Sequence, residues 1–253
     1  MLLGHLEFVK LLKRENKLGF CHVFTSLRSS LFPFFFVAVP EPVAFYPLNS
    51  RYKAAEKENR QLKGILGDVV ITNGPYNEPG GAYMFYGTDQ SFIKFPSRGG
   101  LDTRFSITLM CWVQLSGDQY FVPLFSYGNS RNDLGDALGM WIAEENFYII
   151  IAERYSGSRH TTITYSKVLR AGKWVHVAAN YDHNTGNSSL YINGHLSFSQ
   201  NIGKGFEIDT TAQKVLMGAG DGHWYSKGKI AEMKIYDVAL NEAQIQTSIR
   251  QGS

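Results

Sequence analysis

From Pro42 onward the chain is a succession of short runs rich in Val, Ile, Phe, Tyr and Thr, parted at intervals of about 8–15 residues by Gly, Asn, Asp and Pro. This punctuation is the signature of many antiparallel strands. Twelve runs carry it: 43–47, 81–86, 91–95, 106–114, 120–127, 138–143, 146–152, 160–165, 173–181, 188–192, 215–219 and 229–236. Twelve strands suit two stacked sheets.

Within 174–181 the residues alternate. Trp174, His176, Ala178 and Asn180 share one face; Val175, Val177, Ala179 and Tyr181 share the other, more apolar face, which is expected to point at the inter-sheet core. The polar run 182–187 separates two strand patterns, and Asn193-Gly194 is the dipeptide a type I′ hairpin prefers, so a β-meander is expected across 173–200. Helix signals are few. Residues 53–62 hold good helix formers without an apolar face and read as a surface loop with at most a turn. Residues 241–249 predict a short helix capped by Asn241.

Composition excludes several classes. Among 253 residues, 44% are hydrophobic and 14% aromatic, ordinary for a packed protein, and disorder, collagen and coiled coil do not fit. The net charge of +3 lies wholly in residues 1–40, where Lys10, Lys13, Arg14, Lys17 and Arg28 face only Glu7 and Glu15. A formally neutral body without a Lys/Arg stripe lacks the counterion release that drives nucleic-acid binding, so no nucleic-acid partner is expected. The two cysteines, Cys21 and Cys111, form no zinc-spaced cluster, and Cys111 in an apolar run reads as a buried free thiol.

Residues 1–40 read as a leader and 41–253 as the folded domain. The apolar stretch 31–39 has nine residues, short of the roughly 20 a membrane span needs. Preceded by Arg28 and followed by Pro40-Glu41-Pro42, it fits the hydrophobic part of a secretory signal, which implies an extracellular protein. The long basic region before it fits a misassigned start equally well. The alternative is a first strand or collapsed tail of an intracellular protein.

Five blocks in order carry a more specific signal. They are Val43-Ala44-Phe45-Tyr46-Pro47-Leu48, the run 105–113 around Cys111-Trp112, Lys173-Trp174-Val175-His176-Val177, Leu190-Tyr191-Ile192-Asn193-Gly194, and 229–236 followed by Ala239-Leu240. Across residues 42–247 this resembles the laminin-G-like, pentraxin-like branch of the concanavalin A-like jelly rolls. The resemblance implies an all-β, two-sheet antiparallel jelly-roll sandwich with a short C-terminal helix.

Leu124-Phe125-Ser126-Tyr127 and the polar loop after it tighten the resemblance to pentraxins, which implies calcium. Asp133 matches the calcium-binding aspartate of that loop, although Leu134 stands where an asparagine is usual. The second ligand loop corresponds to 218–223, where Asp221 is the only carboxylate. Asp133, Asp136 and Asp221 are therefore the candidate ligands, with carbonyls and water completing the six to eight oxygens calcium takes. The same aspartates also read as turn residues that bond their own backbone. The family's disulfide positions fall on Thr108 and Ala178, so that bridge is absent.

His223, Trp224 and Tyr225 form a histidine/aromatic loop suited to stacking on a sugar face, or equally to packing on a neighbouring loop. Asn187-Ser188-Ser189 is a glycosylation sequon. The Glu-x-Asp-x-x-Glu strand of glucanases is missing, and adjacent Glu144-Glu145 read as a surface turn. No nucleophile elbow is present. The expectation is a non-catalytic extracellular recognition or adhesion module, in which loops 128–137, 153–160 and 218–228 bind a glycan or protein ligand, with calcium assistance. The alternatives are a glycoside hydrolase with an unfamiliar carboxylate pair, and a structural matrix fragment of a larger protein.

Overall fold

A computed structural model of the chain describes residues 37–96, 100–117, 121–128, 137–164, 169–211, 214–220 and 224–252. Residues 1–36 of the expected leader thus lie outside the described residues. The strands are β1 (Ala44–Tyr46), β2 (Ile65–Leu66), β3 (Val69–Thr72), β4 (Ala82–Tyr86), β5 (Ile93–Pro96), β6 (Ile107–Leu115), β7 (Phe121–Tyr127) and β8 (Leu138–Ala143). They continue with β9 (Asn146–Ala152), β10 (Arg159–Ile163), β11 (Trp174–Tyr181), β12 (Asn187–Ile192), β13 (His195–Asn201), β14 (Lys214–Met217) and β15 (Lys227–Tyr236), and one helix, α1 (Glu242–Arg250), follows.

These strands form two antiparallel sheets. The eight-stranded sheet runs β13-β12-β11-β6-β15-β4-β3 with β1 also on β15, and the seven-stranded sheet runs β10-β9-β8-β7-β14-β5-β2. Every expected run becomes a strand. The edge strands β2 and β3 were invisible in the sequence: β2 is two exposed residues, and in β3 the unbroken apolar run Val69-Val70-Ile71 hides that Val69 and Ile71 pack on the core while Val70 is exposed.

The core lies between the sheets and takes one face of each strand. On β11, Val175, Val177, Ala179 and Tyr181 enter it as the alternation predicts, opposite Val113, Cys111, Leu109 and Ile107 of β6. Ala178 of the other face joins Met110, Tyr191, Tyr236, Leu240 and Ile245 in a second cluster beneath α1. The helix starts at a capping box: Asn241 Oδ1 accepts from the Gln244 backbone at 2.9 Å and Gln244 Oε1 accepts from the Asn241 backbone at 3.0 Å. Val39 packs on the same cluster, and the Ala38 carbonyl accepts from Gln244 Nε2 at 3.1 Å.

The turns follow their sequences. Asn193 and Gly194 adopt φ 51° and 82°, the type I′ pattern, and close the β12–β13 hairpin of the expected meander. Glu144 and Glu145 adopt φ 49° and 65° in the β8–β9 turn, so they form a reversal and offer no strand-borne carboxylate pair. The loop 53–62 is turns, organised by a buried carboxylate. Glu56 accepts backbone hydrogens from Phe45, Glu58 and Arg60 at 3.1, 3.0 and 2.8 Å.

One irregularity shapes β15. Its register against β6 passes from Ala231↔Trp112 to Lys234↔Met110, one residue longer than its partner, with Glu232 at φ 50°. This bulge resets the alternation: Met233 and Ile235 enter the core, while Lys234 and Tyr236 turn to the outer face. Before it β15 pairs with β4; after it, with β1.

Candidate functional site

The outer face of the seven-stranded sheet carries an aromatic row. Pro123 of β7, Trp141 of β8, Tyr148 of β9 and Ile163 of β10 lie opposite one another in successive pairs. The Trp141 and Tyr148 rings stack with centroids 6.4 Å apart and planes 20° apart. Both rings are buried, at 5% and 8% exposure, so this cross-strand aromatic pair stiffens the sheet and packs beneath the neighbouring loops.

Glycines permit the close packing around Trp141. A Cβ at Gly220 would fall 2.4 Å from the indole Cη2, and one at Gly139 would fall 2.6 Å from Nε1. That indole nitrogen is buried and makes no hydrogen bond among the described residues.

Next to this row residues 218–220 pair with residues 224–226. Gly220 donates to the Trp224 carbonyl at 3.0 Å, Ser226 donates to the Gly218 carbonyl at 2.8 Å, and Ala219 bridges to Tyr225. Trp224 lies against Phe121, centroids 5.0 Å apart, with 43% of Trp224 still exposed. This pairing brings Trp224 beside β7, while Tyr225 bridges to Ala219. Sequence reasoning found Trp224 but missed Phe121, Trp141 and Tyr148, which look like ordinary strand aromatics until register aligns them.

Asp133, Asp136, Asp221 and His223 lie outside the described residues. Among the described residues no group of three or more His, Cys, Asp or Glu could hold a metal ion. Asn187 is exposed and opens β12 immediately after the 182–186 turn, where its Oδ1 accepts from Asn201 Nδ2 at 3.1 Å. Ser189, two residues on, is buried and bonded to Ser199 at 2.9 Å.

The loop 153–160 gathers Ser156, Glu153 and His160. Glu153 accepts from Ser156, and its other oxygen meets His160 Nε2 at 3.0 Å. Hydrogen bonds from Ser156 and then His160 hold its carboxyl below the usual glutamate range. Here the acid stands between serine and imidazole. A triad needs the imidazole between the other two, so this trio lacks the imidazole base on the hydroxyl.

A sequence profile of the Concanavalin A-like lectin/glucanases superfamily matches residues 87–246, more than half of the chain. A comparison with curated protein sequences finds no match. Solved structures share the fold at low identity. The binding domain of botulinum neurotoxin serotype G superposes with TM-score 0.66 and 14% identity, over 83% of this chain and 51% of that one. The serotype D domain in complex with N-acetylneuraminic acid gives 0.63 and 15%, over 83% and 50%. Domain 4 of AbnA, an extracellular GH43 arabinanase from Geobacillus stearothermophilus, in complex with arabinotriose, gives 0.62 and 18%, over 83% and 98%. The chain therefore spans about half of the toxin binding domains and nearly all of the arabinanase domain.

Proposed function

The chain belongs to the Concanavalin A-like lectin/glucanases superfamily, and on that premise we propose that it is a non-catalytic recognition module that binds a glycan through the outer face of its seven-stranded sheet. The observation that carries this reading is Trp224, 43% exposed and in tilted ring contact with Phe121 at the edge of the sheet face that holds Trp141 and Tyr148. An exposed indole held by a neighbouring ring suits the apolar face of a sugar ring. The described binding-domain neighbours, among them structures with arabinotriose and N-acetylneuraminic acid, agree with a binding role. On this reading loops 128–137 and 218–228 set specificity, since loops on a rigid sandwich carry it.

In the calcium-assisted form of this reading, Asp133, Asp136 and Asp221 are the ligands and the ion sits beside the Trp224 loop. In the extracellular form, Asn187 carries a glycan, for which its exposed position is suitable. No described helix is long and apolar enough to cross a membrane.

Screening the full chain on a glycan array that includes arabino-oligosaccharides and sialylated glycans, with calcium present, tests the reading. We expect at least one saturable glycan ligand whose binding disappears in Trp224→Ala. Binding that survives this substitution would remove the aromatic surface from the site.

One observation favours a protein ligand as the second reading. Ile65 and Leu66 on β2 and Val70 on β3 are exposed apolar side chains on the edge strands of the two sheets. An exposed apolar edge invites strand addition by a partner chain. Charged substitutions at Ile65 and Val70 would abolish such binding and leave glycan binding intact.

A further inference from the structure

On the outer face of the other, eight-stranded sheet, β1, β15, the loop around residue 57, the segment 39–42 and the end of α1 enclose a cavity of about 230 Å³. Its wall holds three cations, Lys57, Arg60 and Lys234, and two carboxylates, Glu41 and Glu58. The cations differ in how they are matched. Arg60 is held by the buried Glu56 at 3.3 Å and by Glu41 at 3.8 Å. Among the described residues, neither Lys57 nor Lys234 has a carboxylate oxygen within 4.0 Å.

The two ammonium groups share one aromatic ring. Lys234 Nζ lies 4.8 Å from the centroid of Phe45 and Lys57 Nζ lies 5.0 Å from it. Lys57 is fixed there because its backbone donates to the Phe45 carbonyl at 2.8 Å. Lys234 is 4% exposed and placed by the β15 bulge, and its ammonium donates to the Ser248 carbonyl at 2.6 Å and to Ser248 Oγ at 3.2 Å. Tyr236 holds that hydroxyl from the other side at 2.7 Å. An ammonium has three donors, so one remains beyond the two that Ser248 accepts.

A buried cation whose hydrogen-bond acceptors are all neutral, with a second cation on the same ring, is a costly arrangement. A ring face is attracted to an ammonium but cannot neutralise it. An anion in the cavity would accept the remaining Lys234 hydrogen and pair with Lys57, converting repulsion into two charge-assisted hydrogen bonds. We propose that this cavity is a binding site for a tetrahedral oxyanion, a sulfate or phosphate group, either free or carried as an ester on a sugar. The cavity is larger than the ion alone, which leaves room for part of the carrier. Burial brings the Lys234 ammonium down to about 8, against the attraction of Glu232 and with a smaller contribution from the repulsion of Lys57.

This inference does not rest on the glycan reading, since the cavity and the Trp224 surface are on opposite faces of the sandwich. Isothermal titration of the full chain with inorganic phosphate, inorganic sulfate, glucose 6-sulfate and glucose, at ionic strength fixed with sodium chloride, tests it. We expect saturable binding of the oxyanions and none of glucose. Tighter binding of glucose 6-sulfate than of sulfate would identify the ester as the source, and equal binding would identify the free ion. Lys57→Met alters a partly exposed loop residue and leaves the fold in place; it should weaken binding at least about tenfold, and Lys57→Arg should restore part of it. The same Lys57→Met chain should bind its array glycan unchanged. The absence of saturable binding at millimolar oxyanion, or binding of equal strength in Lys57→Met, would overturn the proposal.

Discussion

Arg154 donates from Nη2 to the carboxylate of Asp102, 52 residues earlier in the chain, and the same guanidinium reaches Thr210 Oγ1 and the Ile208 carbonyl, each at 3.2 Å. Thr210 Oγ1 in turn donates to Asp102 at 2.6 Å. Three loops that the sequence keeps far apart are joined at one buried cation. Burial by itself would raise the Asp102 carboxyl, but hydrogen bonds from Arg154 and Thr210 outweigh it and hold the group below the usual aspartate range. Asp102→Ala removes the nearer of the two carboxylates on the buried Arg154 guanidinium and leaves it Glu207 at 3.5 Å, so it should cost about 2 kcal/mol in urea unfolding. A loss within about 0.5 kcal/mol, as at an ordinary surface position, would show that solvent already satisfies the guanidinium.

The two tryptophans of the aromatic surface should separate binding from stability. Trp141 is 5% exposed and Trp224 43%. Trp141→Ala empties a packed position and should destabilise by about 3–5 kcal/mol, whereas Trp224→Ala should cost well under about 1 kcal/mol while removing glycan binding. A large loss of stability in Trp224→Ala would mean that the indole is a packing element of the fold.

His176 supplies a pH dependence. Burial, with a smaller contribution from the Lys234 charge, lowers its imidazole to about 3, and Nδ1 has no hydrogen-bond partner among the described residues. The unfolded chain binds this proton near pH 6.5 and the folded chain near pH 3, so between those values the unfolded state holds more protons. Stability is therefore lost as pH falls through this window, by up to about 1.4 kcal/mol per unit from this group. His176→Gln cannot titrate. The stability difference between wild type and His176→Gln should be constant above pH 7 and should shift steadily against wild type on acidification. Parallel pH profiles would show that His176 is hydrated in the native state.

Calcium is tested by its removal. If Asp133, Asp136 and Asp221 hold the ion, melting with roughly 2 mM calcium should occur at higher temperature than with excess chelator, because a ligand specific to the native state stabilises it by mass action. Asp133→Ala and Asp221→Ala should each abolish the difference. Identical melts of the wild-type chain in calcium and chelator would eliminate the calcium site and leave a metal-independent surface.

Cys111 should be inert. It is fully buried between the sheets, and burial pushes its thiol up to about 12. In a Cys21→Ser chain, an aromatic disulfide reagent should react only at the rate of unfolding and be accelerated by urea. Rapid stoichiometric labelling under native conditions would place a solvent path into the core.

Much of the fold was legible in order and kind. The alternation of 174–181 predicts which side chains enter the core, Asn193-Gly194 predicts its turn, and Asn241 predicts the helix start; each prediction holds. The candidate site was less legible. Trp224 stands out because it lies in a polar, glycine-rich loop, where an aromatic has no periodic reason to be. Trp141 and Tyr148 are hidden by the same logic, since an aromatic in an apolar run looks like core whichever face it takes.

The amino-acid sequence by itself determined the local geometry: the period of two, the positive-φ turns and the capping box each depend on residues within a few positions of one another. Tertiary structure alone decided which residues meet at long range. Thr108 Oγ1 donates to the Val238 carbonyl across 130 positions, Arg154 finds Asp102, and one extra residue near Glu232 turns Lys234 out of the core and into a polar cavity. Strand register is the physical reason. A shift of one residue exchanges the two faces of a strand at little change in local preference, so register is chosen by the summed packing of both sheets, which no short window of sequence contains.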